Sequence, residues 1–169
     1  MKNSLYPIIA LLFCIIATSS CNDTDDLNAI FLKNEKRMVN VLFHSGGKPK
    51  PVIENPTPLE IEHLEEPSNY TLKFDGVVEH DKITNGTYTF KLINSTITGS
   101  FNADGKTGRL SMHVPPHAKL SNIESKDRIA QEAFKAIKNA TKYSGDVNLF
   151  KLHYKDGQST NKYLMFTPR

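Results

Sequence analysis

Six histidines and two cysteines are the residues with the richest chemistry in this chain, and their spacing decides what each can do. His113 and His117 stand four apart, the interval that puts two imidazoles on one face of a helix for a metal ion. Pro115 and Pro116 lie between them and forbid that helix. His44, His63 and His80 fall singly, and His153 alternates with Leu152 and Tyr154, which puts it on the solvent side of a strand. No metal set emerges. A serine or cysteine nucleophile needs a base beside it, and no Gly-x-Ser-x-Gly elbow occurs. Asp75, Asp81, Asp104 and Asp156 sit beside turn residues, where a carboxylate serves backbone geometry. No two acids mark themselves as a glycosidase pair, and the glycines around Gly105 and Gly108 make no phosphate loop. The expectation is a protein that is not an enzyme, with no catalytic residue, no metal, no cofactor and no identifiable small-molecule substrate.

The cysteines say more. Met1-Lys2-Asn3-Ser4 precedes an apolar run from Leu5 to Ala17, and Thr18-Ser19-Ser20-Cys21 follows. A positive start, about a dozen apolar residues and then small ones are the layout of a secretory signal, too short to span a bilayer comfortably. Cys14 lies in the apolar run and leaves with the signal. Cys21 is then the only cysteine of the mature chain, so it has no disulfide partner there and thiolate zinc sites are excluded. Thr18-Ser19-Ser20-Cys21 resembles the bacterial lipobox, with Thr18 where the pattern usually has an aliphatic residue, as in Bacteroidetes-type lipoproteins. The resemblance implies cleavage after residue 20 and acylation (palmitate) on Cys21. Multiple acyl chains anchor firmly, at about 0.8 kcal/mol per buried CH₂. The membrane, reached through the lipid on Cys21, is one expected partner; an unnamed protein or peptide is another. The acidic Asn22-Asp23-Thr24-Asp25-Asp26 resembles a surface-export signal, and lacks the Asp after the cysteine that marks inner-membrane retention. The expected location is therefore the cell envelope, in the outer membrane, on its periplasmic or surface face.

The 169 residues divide into a signal over 1–20, a lipidated start and tether over 21–36, and one domain over 37–169. With 38% hydrophobic and 23% charged residues the chain has a globular composition. Net charge is +3 overall, negative over 22–66 and positive over 67–169. Spread over a whole domain, this is ordinary surface charge; nucleic-acid binding would want clustered bases with aromatic platforms.

Within the domain the rhythm is mostly that of strands. Met38–Phe43, Tyr70–Phe74, Gly86–Leu92, Thr96–Phe101, Gly108–Val114, Phe150–Tyr154 and Tyr163–Phe166 alternate and are bounded by turn residues. The proline-rich stretch 46–68 reads as a long surface excursion or an irregular edge, and as the place for binding specificity. One segment has the helical period: over residues 126–142, Ile129, Ala130, Ala133, Phe134, Ala136, Ile137 and Ala140 share one side and the charged residues the other. Ser125 or Asp127 can cap it. The fold class expected is α+β: about seven mainly antiparallel strands in a barrel-like sheet with one amphipathic helix packed on it.

Tyr70-Thr71-Leu72-Lys73-Phe74-Asp75, Ile97-Thr98-Gly99-Ser100-Phe101, the helix with Phe134 and Ile137 followed by Tyr143, and the closing pair Asn148–Tyr154 and Tyr163–Phe166 together resemble the META domain of HslJ-like proteins. The usual Gly-Cys-Asn and the first-strand Trp are missing. That resemblance implies a non-enzymatic, secreted or lipidated envelope-maintenance or stress module with no catalytic residues. Three functions follow as expectations. One is a binding or envelope-maintenance module for an unnamed protein or peptide. The second is a lipocalin-like carrier of a small apolar ligand, disfavoured by bulky inward Phe, Tyr and Leu. The third is a glycan-binding accessory lipoprotein, disfavoured by the lack of Trp.

Overall fold

The computed structural model describes residues 27–45, 48–157 and 159–169. The signal and Cys21 lie outside the described residues. Ten strands form one antiparallel sheet: β1 Lys36–Ser45, β2 Lys48–Pro51, β3 Thr71–Asp75, β4 Val78–Glu79, β5 Lys82–Lys91, β6 Thr96–Asp104, β7 Arg109–His113, β8 Ala140–Gly145, β9 Phe150–Asp156 and β10 Ser159–Pro168. Two α-helices join them, α1 Pro58–Glu65 and α2 Arg128–Lys138.

Eight of the strands close a barrel in the order β1-β3-β5-β6-β7-β8-β9-β10, with β10 returning to β1. The seam runs from Lys36 opposite Pro168 to Phe43 opposite Lys162. The other edge of β1 is shared: its start pairs with β3 through Lys36–Leu72 and Arg37–Thr71, and its end carries β2 as a hairpin. β4 is a flap on β5, turned by His80 and Asp81, both at positive φ, as a two-residue hairpin of matching twist requires.

Alternation fixes which side chains point in. Along β5, Ile83, Gly86, Tyr88 and Phe90 are buried and their neighbours exposed; along β6, Ile97, Phe101 and Ala103 are buried. An eight-stranded barrel has just enough interior for such side chains to fill. Here both ends are also stoppered. At the end where β1 begins, residues Asn28–Leu32 make a single π-helical turn whose Leu27, Ile30 and Phe31 are buried. The Phe31 ring meets Tyr143 at 4.8 Å, Phe74 at 4.9 Å, Phe150 at 5.4 Å and Phe101 at 5.6 Å between centroids. Edge and offset contacts of this kind add to area burial. Nothing in the pattern announces the stopper, because the stretch reads as tether.

Lys36 holds the stopper down. Its side chain is buried, its ammonium donates to the carbonyls of Asn34 (3.1 Å) and Phe31 (3.3 Å), and it lies 5.6 Å from the ring centres of both Phe74 and Phe150. Burial lowers its pKa to about 8, since a charged amine loses hydration there.

Helix α2 stoppers the opposite end. Asp127 caps it, accepting from the Ala130 N–H at 2.8 Å. Ile129, Ala130, Ala133, Ala136 and Ile137 are buried, and alanines let the helix sit close. Glu132 latches it to the wall, accepting from Tyr154 Oη at 2.7 Å and Lys162 Nζ at 2.9 Å.

The expected α+β class holds, a mainly antiparallel barrel with one main helix packed on it; three details differ. The strands number ten rather than about seven; β2, β4 and β8 are short or irregular. The helix spans 128–138 rather than 126–142, because β8 takes the chain from Ala140. There Lys142, Tyr143 and Ser144 find ladder partners on β9, and Tyr143 turns inward onto Phe31. Ala140 suits either period, so the helical pattern overruns. The stretch 46–68 is not one irregular excursion, since it contains β2 and the capped helix α1.

A candidate binding face on the barrel wall

The histidines separate into three environments. His80, His113 and His117 are exposed in turns or at a strand end, and no group of three metal-ligating side chains exists among the described residues. His63 is half-buried on α1, and its Nδ1–H donates to Asp127 at 2.8 Å. His44 and His153 come together on the outer wall.

The His63–Asp127 contact has the form of the base–acid half of a hydrolase triad, and Tyr70 Oη also donates to Asp127, at 3.4 Å. The rest of the arrangement is structural. Asp127 is the α2 cap. Thr57 and Glu60 form a reciprocal capping box at the start of α1. Glu60 is then gripped by Arg128, whose Nε and Nη2 donate at 2.8 and 2.6 Å and whose backbone N–H donates at 3.0 Å. The guanidinium holds the Glu60 carboxyl at about 2, so its stabilising part is present above the ordinary carboxylate range and fades as pH falls toward 2. These contacts fasten α1 to α2, and so fasten the segment 58–65 to the barrel.

On the outer face of β8, β9, β10 and β1 the side chains form a different kind of group. Lys142 stands opposite His153 and Ser144 opposite Lys151 in the β8–β9 ladder. Tyr163 stands opposite His153 in the β9–β10 ladder. Ser144 Oγ lies 2.7 Å from His153 Nε2. The His44 and His153 rings lie 5.3 and 5.5 Å from the Tyr163 ring, and Lys151 Nζ lies 5.7 Å from it. Tyr163 is thus a floor, 2% exposed, beneath Lys151 and the two imidazoles. His153 has its pKa pushed down, first by burial and then by Lys142, Lys151 and His44; no carboxylate offsets them. A neutral imidazole against a serine hydroxyl is a nucleophile–base contact in form. It sits on the outer wall of the barrel, where β8 pairs with β9.

Recesses also open elsewhere on the surface, two of them between packed elements of the barrel. One, of about 550 Å³, runs over β5–β8 past Lys82, Asn102 and Arg109. The other, of about 320 Å³, lies between β1, α1 and the start of α2, lined by Val41, Ile53, Leu64 and Ile129.

Sequence reasoning placed His153 outward but missed its partners. Ser144 and Lys142 belong to β8, which the helical pattern concealed, and His44 and Tyr163 meet only through the β1–β10 seam. Their one sequence signal is charge: residues 138–169 hold six bases and two acids.

A crystal structure of a DUF4847 family protein from Bacteroides vulgatus ATCC 8482, at 1.00 Å resolution, is similar to this chain with a TM-score of 0.57 and 20% identity, covering 83% of this chain and 96% of that one. At that identity the likeness concerns the fold. No curated protein matches the chain. The META resemblance is overturned, because the family model that fits, over residues 22–168, is another one; strand motifs such as Tyr70–Asp75 are met in many small barrels and do not single out a family. The chain belongs to DUF4847, a family described as a domain of unknown function.

Proposed function

We propose that this protein is a lipid-anchored extracytoplasmic module of the cell envelope, held in the outer membrane through acylated Cys21, and that it binds its partner on the outside of the barrel without catalysing a reaction. The observation that carries the reading is the filled interior. Phe31 and its four aromatic neighbours occupy one end, and α2 closes the other. A carrier would need that volume free. A glycan-binding role has less support, since the large apolar side chains exposed among the described residues are Leu59, Ile61, Val77, Ile123 and Val147, none of them aromatic.

Metabolic labelling with palmitate tests the anchor. The chain is expected to take up label and to sediment with outer membranes, while Cys21→Ala loses both properties. An unlabelled wild type, or a labelled Cys21→Ala, contradicts the reading.

A further inference from the structure

We propose that Lys142, Ser144, Lys151 and His153 form a binding site for a phosphate group on the outer wall of the barrel. The proposal deepens the binding-module reading and rests on it. The four residues are two ladder pairs, Lys142–His153 and Ser144–Lys151, two positions apart on adjacent strands. Outward side chains so placed are about 5 Å apart across the strands and about 7 Å apart along them. That square is the size of one tetrahedral oxyanion with its donors around it.

The charge arrangement is costly unless an anion completes it. Lys142 also stands directly opposite Arg109 in the β7–β8 ladder, and like charges so placed on a sheet are destabilising. Four lysines elsewhere have acid partners: Lys82 with Asp104, Lys106 with Asp81, Lys135 with Asp156, and Lys162 with Glu132 and Asp156. Among the described residues, neither Lys142 nor Lys151 has such a partner. His44 adds a further basic group, and Lys155, exposed further along β9, another.

The donors also suit phosphate. Ammonium groups act as point charges around a compact tetrahedral anion, and a guanidinium beside them matches phosphate as well. Two ammonium groups, a hydroxyl and an imidazole lie on this outer face, with Arg109 directly opposite Lys142 on β7. The Ser144–His153 contact holds the ring in place, and the buried Tyr163 ring floors the site.

The test uses the full chain in dodecyl maltoside micelles, titrated by calorimetry with inorganic phosphate, with acetate as control, and separately with mixed micelles containing phosphatidylglycerol. The His153 ring resonances are followed by NMR. Binding at one site is expected, weakened at least tenfold in the double variant Lys142→Gln/Lys151→Gln. Saturation should raise the His153 titration midpoint by at least half a unit, while acetate leaves it in place. Binding of free phosphate identifies a phosphorylated solute as the ligand class, and binding only of the mixed micelles identifies a lipid headgroup; both support the site. Absence of binding in both arms, or binding unchanged in a double variant that keeps the wild-type circular dichroism, overturns it. Palmitate labelling is independent of this outcome, so a failed site and a failed anchor are told apart.

Discussion

Phe31→Ala should unfold at markedly lower denaturant than the parent, with a loss of about 3–5 kcal/mol, the range for deleting a fully buried phenylalanine ring. Phe31 is wholly buried and touches four other aromatic rings. Those rings are anchored on β3, β6, β8 and β9, four separate parts of the wall, which cannot all collapse inward to fill the void. Cavity cost grows when surroundings cannot relax, so the upper half of the range is expected. A urea titration followed by circular dichroism reads this directly. A loss below about 1 kcal/mol would mean that the turn at Asn28–Leu32 is not a working part of the barrel.

The second large effect lies at the other end. Glu124, fully buried, accepts from the backbone N–H groups of Asn94, Ser95 and Ser121, each at 2.7 Å, and from the Ser95 hydroxyl. One carboxylate thereby satisfies the β5–β6 turn and the approach to α2 together. Glu124→Ala strands three part-buried N–H donors, each costing about 1–3 kcal/mol when left unmade away from water. Partial rescue by water brings the expected total to about 3–5 kcal/mol. Burial alone would raise the Glu124 pKa; the hydrogen bonds from Ser95, Ser121 and Asn94 outweigh it and lower it. A lowered carboxylate pKa means stability present above the ordinary carboxylate range and lost as pH falls through the folded value. The parent should therefore lose stability in acid more steeply than Glu124→Ala. Parallel acid curves would show that the carboxylate is not the group holding the turn.

The barrel was legible in the sequence because alternation survives wherever a strand has one wet face. Tyr88 and Phe90 on β5 or Leu152 and Tyr154 on β9 announce their orientation without help. What stayed hidden has three physical causes. β8 begins on Ala140, a residue that fits a helix as well as a strand, so the change of period left no mark. The stopper at Leu27–Leu32 is a single turn, too short to show a period, and its value comes wholly from rings far along the chain. The basic wall is assembled across strand pairings, and register brings Lys142 to His153 and Ser144 to Lys151 where spacing alone cannot. The same holds for Glu60 and Arg128, 68 positions apart. The prolines before α1 suggested an irregular loop, although Pro58 at the first position of a helix is a favourable start.

The central claim is that the barrel is a filled scaffold whose working surface is outside. It is met most directly by diffraction from crystals of residues 27–169, which contain every strand of the barrel, under xenon pressure. Xenon enters dry apolar cavities in proteins. The account predicts no xenon among Phe31, Phe74, Phe101 and Phe150; a well-occupied xenon atom among those rings would contradict it and return the carrier reading to first place.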